Sequence, residues 1–591
     1  MAPLTIADGG NAARAVDAAQ LPAPRLKVGL FADTRLQPRA IVEAFAGIER
    51  SEYAQIVLVA TCDAPQRPLH WAWRAWRSVD DRVFGADPDP AEMVDLAAHI
   101  PAALRIELPQ SGSDAGYAEP WQSQVAQFGP QFGLDVAMVL GDLDPSALCS
   151  IARFGAWRLG AGRDDGPLDA LDGFREVAEA RPVTTAVLTA RMATGEERVL
   201  CQSWLPTFAF SLTRNRGKLL RRAAQLPARA LRDVQRNGLP ATRAVAAEVA
   251  PAAARACDAP IASRAGGDSR AHLPRIGLSI GRRALQKLAH VDQWFLGYRF
   301  DSGDGGWLDD QPFHCVVPPR DRFWADPFPL ERDGRYFIFF EELPFATGKG
   351  HISVIEAGRD GVVGEPVCAL SQSYHLSYPF LLEHDGELFM IPETGENRRV
   401  ELYRCIEFPH RWRFERALLT DVFCVDPTIC RAFGRWWMFV NAANHPADVH
   451  DELHLYHAED LLGPWLPHPA NPVKSDARRA RPAGALFARN GALFRPAQIC
   501  VPRYGAGLSI NEVLQLSPDA YAEREICRIA ADESSGILGM HTLNRAGQLL
   551  VTDGFLRRGR LSRAVPRMLA PAHRGPGDDL VARCASTEHA A

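Results

Sequence analysis

The stretch RFWADPFPLERDGRYFIFFEEL (residues 322–343) follows the plan of a β-hairpin. An Asp-Pro pair opens a short apolar run, Asp333-Gly334 supplies a turn signal, and an aromatic run then ends in two glutamates. The dipeptide Asp-Gly favours the positive φ angles that a tight hairpin turn requires. We therefore predict an antiparallel hairpin with one carboxylate, Asp326, at its entrance.

The same plan recurs along the second half of the chain, at a spacing of roughly 50 residues that is typical of propeller blades. One such blade is a small antiparallel sheet that cannot bury both faces, whereas a closed ring of blades buries them and protects the strand edges. The sequence therefore predicts an all-β, five-bladed propeller. The four further copies are SYPFLLEHDGELFMIPET (residues 377–394), VDPTICRAFGRWWMFVN (425–441), ARPAGALFARNGALFRPAQ (480–498) and GMHTLNRAGQLLVTDGF (539–555).

The five copies carry different polar or aromatic residues at the place where the first strand starts. In a propeller these places gather around one end of the central channel, so different side chains at equivalent positions favour a ligand site. The alternative for any single Asp-Pro is a turn residue whose carboxylate accepts backbone N–H groups. The five residues are Asp326, Tyr378, Asp426, Arg481 and His541.

The motifs FWADPF, SYPFLLEHDGELFMIPE, DPT, RPAG and RPAQ, taken together, resemble two known groups. The first blade is similar to that of five-bladed arabinanase and xylosidase-like glycoside hydrolases, in which the Asp before Pro is the general base. The set is more similar to the propeller of glucosamine inositolphosphorylceramide transferase-like proteins, over residues 294–560. The resemblance implies sugar chemistry in the channel, with Asp326 as base.

Glycosidic bond chemistry requires an acid and a base or nucleophile. The candidate catalytic residues are Asp326, Asp426, Glu393 and His541. The candidate substrate-binding residues are Tyr378, Glu341, Arg481, Arg495, Gln498 and Asp553.

Two arginines of the fourth copy, Arg481 and Arg495, indicate which kind of sugar the channel would bind. Arginine forks suit phosphate or carboxylate groups, which favours an anionic or phosphorylated sugar. The alternative is that the arginines pair with the channel aspartates. The leading hypothesis is a carbohydrate-active protein of bacterial glycan or glycolipid biosynthesis that binds and transfers such a sugar.

Two other functions remain open from the residues alone. One is a glycoside hydrolase that uses Asp326 and Asp426, and the other is a non-catalytic sugar-binding scaffold of polysaccharide assembly. The expected partners are a sugar, a nucleotide sugar or a glycolipid. The sequence predicts no cofactor and no metal, because the cysteines and histidines show no zinc spacing.

The first half of the chain has a different pattern. LKVGLFAD (residues 26–33) and AQIVLVATCD (54–63) are buried-strand patterns separated by a helical one, and this order predicts a parallel α/β sheet. A third such run, DVAMVLGD (135–142), is followed by two antiparallel strand patterns. Three tryptophans in residues 70–85 are interpreted as part of a helix packed on this sheet, the alternative being a ligand-stacking surface.

The segment ARFGAWRLGAGRDDG (residues 152–166) is similar to the formyltransferase fold, in which a strand after a Tyr-Gly element carries an Asn-x-His-Pro motif. At the matching positions this chain has Arg158 and Gly160. Glycine cannot do the acid-base work of an imidazole. The resemblance therefore implies a degenerate formyltransferase-like domain that binds or scaffolds.

The chain of 591 residues is too long for one core, so a multidomain protein is expected. A net charge of −5 gives no footprint for nucleic acid. No signal peptide or apolar span is found, which predicts a cytoplasmic protein, peripheral at the inner membrane if the basic residues 214–236 touch anionic lipid. The alternative for that segment is a solvated linker helix. The expected divisions are a disordered N-terminus (1–25), an α/β domain (26–236), a linker (237–285), the propeller (286–565) and a disordered tail (566–591).

Overall fold

The computed structural model describes residues 24–62, 71–100, 103–108, 120–161, 168, 172–239, 273–301, 312–443, 445, 448–531, 536–559 and 572–574. The chain divides into two compact units, the first containing residues 12–249 and 264–281 and the second containing residues 282–591. No described helix is long and apolar enough to cross a membrane. Residues 1–23, most of the predicted linker and most of the predicted tail lie outside the described residues, so those predictions are tested only in part.

The first unit is built on a seven-stranded sheet with the order β5-β3-β1-β6-β7-β8-β9. The first five strands in this order are parallel and the last two antiparallel, as the sequence pattern predicts. The central strand β1 buries six of its seven residues because it is covered on both faces. The strands are β1 (Leu26–Ala32), β2 (Leu36–Pro38), β3 (Ala54–Cys62), β4 (Met93–Asp95), β5 (Leu104–Leu108), β6 (Val136–Leu140), β7 (Ala156–Ala161), β8 (Val183–Arg191) and β9 (Glu197–Pro206).

Seven helices are found among the described residues. They are α1 (Arg39–Glu49), α2 (Trp71–Phe84), α3 (Leu96–His99), α4 (Pro120–Phe128), α5 (Phe174–Ala178), α6 (Leu212–Asn237) and α7 (Leu273–Ala289), with short 3₁₀ turns at Gly129–Phe132, Pro145–Ala147 and Gly395–Asn397.

Two of these helices correct the sequence interpretation. Helix α6 covers the basic segment 214–236, but Arg216, Lys218 and Arg222 on it are buried, because the helix packs against α1, β8 and β9. It is therefore packed and not a solvated linker, whereas Arg214, Arg232 and Arg236 are exposed and the contact with anionic lipid stays a prediction. Helix α7 shows that residues 273–285, expected to be linker, are helical.

Residues 71–84 of the tryptophan-rich segment form helix α2, which contacts α6 more than it contacts any described strand. Trp76 contacts a small apolar cluster, whereas Trp71 is exposed. This arrangement fits a packing helix and gives no stacked aromatic surface among the described side chains.

The second unit is a five-bladed propeller, as predicted. All five hairpins form at the expected positions, and four turn residues that precede a glycine have positive φ, at Asp333, Asp385, Phe433 and Asn490. Blade 1 contains β12 (Arg322–Arg332), β13 (Arg335–Pro344), β14 (His351–Gly358) and β15 (Gly361–Leu370); blade 2 contains β16 (Ser377–His384), β17 (Glu387–Glu393), β18 (Arg399–Glu407) and β19 (Arg411–Thr420).

The remaining blades are less regular. Blade 3 contains β20 (Cys424–Ala432), β21 (Arg435–Ala442), β22 (Glu452–Ala458), β23 (Leu466–Pro467) and β24 (Lys474–Ser475); blade 4 contains β25 (Phe487–Arg489), β26 (Ala492–Ile499), β27 (Gly507–Leu516), β28 (Tyr521–Ala530) and β32 (Ala572–Arg574); blade 5 contains β29 (Ile537–Gly539), β30 (Leu543–Ala546), β31 (Leu549–Gly559), β10 (His290–Phe300) and β11 (His314–Val316).

Blade 5 closes the ring by combining strands from both ends of the propeller. Strand β10 pairs with β31 over eleven residue pairs, from His290↔Gly559 to Phe300↔Leu549. Strand β32 pairs with the outer strand β28, so residues 572–574 of the predicted disordered tail are part of blade 4. The inner strands are buried on both faces, which explains their unbroken apolar runs.

Candidate functional site

The first strands of blades 1, 2 and 3 share one bulge. Asp326, Tyr378 and Asp426 have φ angles of 51°, 44° and 54°, and each precedes a proline. Each residue and its proline interrupt the ladder with the second strand, which shifts in register there. A bulge of this kind turns a side chain away from the regular alternation. The shared bulge confirms that these three residues occupy equivalent positions in blades 1, 2 and 3.

A second set of polar residues lies near the end of the second strand in every blade. Ala325 pairs with Glu341, Ser377 with Glu393 and Val425 with Asn441; the Gln498 N–H donates to the Arg481 carbonyl, and Asp553 lies one residue from the matching position of blade 5. All five are buried or nearly so. Sequence reasoning found four of them and missed Asn441, although a polar residue ending each second strand was the available signal. The set consists of Glu341, Glu393, Asn441, Gln498 and Asp553.

Blades 2, 3 and 4 meet at Asp426. Arg481 binds this carboxylate through two nitrogens, with Nε 2.5 Å from Oδ2 and Nη2 3.2 Å from Oδ1. The amide of Gln498 donates to the same Oδ2 at 2.8 Å, and Glu393 lies 3.9 Å from Arg481. Both oxygens of Asp426 are thus occupied. This confirms for Arg481 the alternative in which the arginine pairs with a channel aspartate.

Blades 1 and 5 meet at Asp326. The Thr542 hydroxyl donates to Oδ1 of Asp326 at 2.8 Å, and the backbone N–H of Asp326 donates to Asp553 at 3.1 Å. Asp553 also accepts the backbone N–H groups of His541 and Thr542. His541 Nδ1 lies 2.5 Å from Asp553 and 3.7 Å from Asp326. Asp553 therefore fixes the first strands of blades 1 and 5 and orients His541.

Burial raises the pKa of three carboxyl groups at this end of the channel. It raises the pKa of Asp326 to about 6, with further upward contributions from the charges of Asp426 and Asp553, while His541 opposes the shift. Burial raises the pKa of Glu341 well above its ordinary value, assisted by Asp326, Glu393 and Asp426. Burial, followed by the charge of Asp426, likewise raises the pKa of Glu393 well above its ordinary value. Two glutamates with raised pKa values therefore lie beside Asp326, whose pKa is about 6.

The pKa of His541 shifts in the opposite direction from that of a buried histidine without charged partners. Burial alone lowers its pKa, but the charges of Asp553 and Asp326 outweigh that effect, so the pKa of His541 is raised. The raised pKa favours the imidazolium form of His541, which lies between the carboxyl groups of Asp553 and Asp326.

Aromatic rings cover the same end of the channel. Trp294 stacks on His541 with ring centroids 3.9 Å apart, and Tyr504 meets the edges of both rings. The Arg481 guanidinium lies 4.8 Å from the Tyr504 ring centroid. Tyr504 is 36% exposed, whereas Asp326 and Glu341 beneath are 4% and 6% exposed. Sequence reasoning missed Trp294 and Tyr504 as site residues, because neither belongs to the repeated hairpin.

Two predicted binding residues are not available to a ligand. Tyr378 is fully buried, and its hydroxyl is taken by Thr428 at 2.8 Å and by the Gly484 N–H at 2.6 Å. Arg495 is fully buried inside blade 4, where it pairs with Glu523 at 2.7–2.8 Å. Both predictions were wrong, since these groups are satisfied by partners in the fold. The structure does bring together Asp326, Asp426, Glu341, Glu393, Arg481, Gln498, His541 and Asp553.

One group among the described residues has metal-ligand spacing. The ligand atoms of Asp326, His541 and Asp553 lie within 4.8 Å of one another. However, Asp553 already accepts three backbone N–H groups, and its 2.5 Å contact with His541 is that of a hydrogen bond. These residues satisfy one another without a cation, so we assign no metal here.

Sequence comparison supports the predicted resemblance of the propeller. The family model described as glucosamine inositolphosphorylceramide transferase 1, N-terminal, matches residues 317–545. The protein of that name from Oryza sativa subsp. japonica is 31% identical over 257 residues, covering 42% of this chain and 34% of the rice protein. The chain thus spans about a third of the length of this curated relative.

Two solved structures are also similar to parts of this chain. The family 117 glycoside hydrolase Zg3597 of Zobellia galactanivorans covers 46% of this chain and 92% of that chain, with 13% identity and a TM-score of 0.28. Glycinamide ribonucleotide transformylase 1 from Symbiobacterium toebii covers 37% of this chain and 92% of that chain, with 9% identity and a TM-score of 0.27. At these TM-scores neither likeness bears on activity.

Proposed function

We propose that the aromatic-covered end of the propeller channel binds a carbohydrate and catalyses acid-base chemistry at its glycosidic bond. The observation that carries the proposal is the environment of two carboxyl groups, Asp326 and Glu341. Asp326 has a pKa of about 6 and Glu341 has a pKa raised well above its usual value, and acid-base catalysis uses such a difference between two carboxyl groups. Perturbed acids of this kind concentrate at functional sites.

Backbone strain supports the same location. Asp326, Tyr378 and Asp426 all adopt the left-handed region, although none of them is glycine. Such conformations cost of order 1–3 kcal/mol each and persist where the surroundings enforce them, often at ligand sites. In blades 1 and 3 the bend delivers a carboxylate to the site, and in blade 2 it delivers a phenol that holds the neighbouring blades together.

The charges of the site favour an uncharged sugar or an amino sugar. Of the two arginines that suggested an anionic sugar, Arg495 is outside the site and Arg481 is bound to Asp426. What remains for a ligand is Asp326 beside Glu341 and Glu393, and the charge that Asp326 carries above about pH 6 repels a phosphate or a carboxylate and attracts an ammonium. The buried amide of Asn441, with no partner among the described residues, adds a donor and an acceptor suited to hydroxyl groups.

We further propose that the reaction is sugar transfer in glycan or glycolipid assembly. The support is the match of the propeller to the N-terminal part of a glucosamine transferase, whose name also suggests the amino sugar. The accompanying α/β unit is proposed to be a formyltransferase-like scaffold without formyl transfer, because Arg158 and Gly160 occupy β7 where the resemblance places a catalytic pair. A cytoplasmic location remains our expectation.

Calorimetric titration of the whole protein with glucosamine, glucose, glucose 6-phosphate and glucuronate tests the ligand class. We expect glucosamine or glucose to bind, and the two anionic sugars to bind more weakly. Preferential binding of the anionic sugars would restore the sequence-based hypothesis and contradict ours. Binding of none of the four sugars would count against a monosaccharide site.

Variants separate catalysis from binding. Asp326→Asn and Glu341→Gln should each reduce turnover of a nucleotide sugar or of a chromogenic glycoside by about a hundredfold or more, the usual effect of removing an acid or base. Asp333→Asn, a turn carboxylate with a φ of 53° on the same hairpin, is the matched control and should react normally. Turnover of the glycoside alone would indicate a hydrolase. Sugar binding that survives both substitutions, with no turnover in the wild type, would indicate a scaffold.

A further inference from the structure

Helix α7 (Leu273–Ala289) presents an apolar face to the surroundings of the protein. Leu278, Leu285 and Leu288 are 75%, 69% and 72% exposed, and Gly281 between them has open space around it. With 3.6 residues per turn, these four positions share one side of the helix. Single exposed leucines are common on protein surfaces, whereas a whole face of them marks an interaction site.

The helix is held to the rest of the protein from its other sides. Ile276 is 4% exposed and packs in a small apolar cluster with Phe174 and Leu212. Near the other end of the helix, the side-chain oxygen of Gln286 accepts a hydrogen bond from Arg557 at 3.5 Å. Neither contact uses the side of the helix that carries the exposed leucines, so that side remains outside the fold.

The charged residues of α7 are all basic. Its sequence, LPRIGLSIGRRALQKLA, contains no Asp or Glu, and Arg282, Arg283 and Lys287 are exposed. Leucines on one face and Arg or Lys on the rest are typical of helices that lie in the interface of an anionic membrane. A second copy of the same helix would bring like charges together. The charge therefore favours an anionic lipid surface over a second copy of this chain.

Further basic residues lie where α7 joins the propeller. Arg558 donates to the side-chain oxygen of Gln293 at 2.9 Å, and Arg320 donates to the carbonyl of Gly559 at 3.2 Å. Both of these acceptors are neutral. Burial and the positive charge of Arg320 lower the pKa of Arg558, so the two guanidinium groups lie near enough to repel each other. An anion such as a lipid phosphate relieves repulsion of this kind.

Helix α7 leads into β10 at the end of the channel that holds the carboxyl groups. Leu296 of β10 pairs with Asp553, and Trp294 stacks on His541. The ladder continues from there to His290, the residue that follows α7. The helix and the candidate site therefore lie toward the same end of the propeller channel.

We propose that α7 lies in the interface of an anionic lipid bilayer, with its leucines among the acyl chains and its basic residues at the headgroups. The channel end that holds the carboxyl groups would then face the bilayer surface, where a glycolipid presents its sugar. The membrane contact follows from α7 and its neighbours alone, whereas the presentation of a glycolipid rests on the proposed function.

Flotation of the whole protein with lipid vesicles that contain no sugar tests the membrane contact. Vesicles of equal parts phosphatidylcholine and phosphatidylglycerol should bind the protein, and vesicles of phosphatidylcholine alone should bind it much more weakly. Each Arg or Lys near an anionic surface contributes about fivefold in affinity. Added salt should weaken the binding, because it screens these charges. Failure to bind the anionic vesicles, or equal binding to both kinds, overturns the proposal.

Substitution of the leucines shows whether the apolar face enters the bilayer. Leu285→Gln combined with Leu288→Gln should lower the affinity for anionic vesicles by about tenfold or more, since two leucines leave the acyl region. The matched control is Leu466→Gln combined with Leu514→Gln, which replaces propeller leucines that are 53% and 55% exposed and should bind like the wild type. Melting temperatures should stay unchanged in both variants. Unaltered vesicle binding by the α7 variant contradicts the proposal.

Substitution of arginines distinguishes α7 from the other basic helix, α6. Arg282→Gln combined with Arg283→Gln should weaken binding to anionic vesicles and reduce its dependence on salt. Arg214→Gln combined with Arg232→Gln replaces exposed arginines of α6 and should have little effect. An equal or larger loss in the α6 variant would assign the membrane contact to α6 and overturn the proposal.

Light scattering examines the competing occupant of the leucine face. The wild type should be monomeric in the absence of lipid. A wild-type dimer that the leucine substitutions dissociate would show that the face joins two copies, which also overturns the proposal. Because neither sugar nor glycolipid is present in these measurements, their failure is distinct from a failure of the proposed function.

Discussion

Asp326 is a carboxyl group with 4% of its surface exposed, one hydroxyl donor and two further carboxylates nearby. Ionising the Asp326 carboxyl group inside the protein is energetically unfavourable, and this raises its pKa to about 6. Because the folded-state pKa lies above the unfolded one, the contribution of Asp326 to stability is full below about pH 4 and is lost as the pH rises through 6.

Asp326→Asn should therefore change stability in a pH-dependent way. At pH 7.5 the variant should unfold at the same or a higher temperature than the wild type, because it lacks the buried charge, a contribution of order 2–3 kcal/mol at most. At pH 4.5 the unfolding temperatures of the two proteins should converge, because the stability of the wild type rises relative to that of the variant. Thermal melts at the two pH values measure this. The carboxylate would instead be a structural cap if the variant is less stable than the wild type and if this loss is larger at pH 7.5 than at pH 4.5.

Arg495 differs from Asp326, because its buried charge stabilises the folded protein. Replacing Arg495 with Met should remove the two-nitrogen partner of buried Glu523, which keeps only Lys474 and the Tyr521 hydroxyl, and should cost about 3–5 kcal/mol. The control is Arg524→Met, whose 2.6 Å pair with Glu512 is on the surface and should cost no more than about 1 kcal/mol. Urea denaturation of both variants gives the two values. Equal costs would make Arg495 a candidate ligand residue again.

The sequence showed which positions are equivalent but not what satisfies each side chain. Tyr378 occupies the same bulge as Asp326 and Asp426, yet its hydroxyl binds Thr428 of blade 3 and Gly484 of blade 4. Those partners lie 50 and 106 residues away in the chain. A local pattern carries no information about such contacts, so the role of Tyr378 was not predictable from the repeat.

Among the elements, the loop between β26 and β27 most directly covers the site. It carries Tyr504 and Gly505, and Gly505 has a φ of 65°. A Cβ atom at Gly505 would lie 2.5 Å from Cη2 of Trp294 and 3.5 Å from Cβ of His541. The loop can therefore lie against the two rings only with glycine at this position.

Gly505→Ala should displace Trp294 or the loop and weaken sugar binding by roughly tenfold, about 1.4 kcal/mol, while the propeller stays folded. Its matched control is Gly491→Ala, which has a similar φ of 76° but open space around the added atom. Tryptophan fluorescence and calorimetry would be compared for both variants. If the two behave alike, the effect is backbone strain and not the packing of the loop on Trp294.

For the whole molecule, the ring depends on a strand from before the first complete blade. Strand β10 buries Phe295, Leu296 and Tyr298 and covers the edge of β31. Open strand edges promote association between chains. The hairpin count predicted five blades, but it gave no indication that the fifth is completed by residues 290–300, because that pairing joins the two ends of the propeller segment, from His290 to Gly559.

A shortened chain of residues 282–574 should be monomeric and unfold cooperatively, whereas one of residues 302–574, which lacks β10, should self-associate or fail to unfold in a single transition. Size-exclusion chromatography and circular dichroism melts distinguish the two. Should the shorter chain behave like the longer one, the β10–β31 ladder would not be what closes the ring.

The antiparallel closure also determines how the ring responds to tension. His290 and Gly559 are paired at one end of the ladder, so pulling them apart loads the hydrogen bonds one after another, as in a zipper. Strands pulled from opposite ends would instead share the load along the whole ladder. We expect a molecule held at residues 290 and 559 in an optical trap to open its ring at low force, and the same molecule held at residues 300 and 559 to resist much higher force.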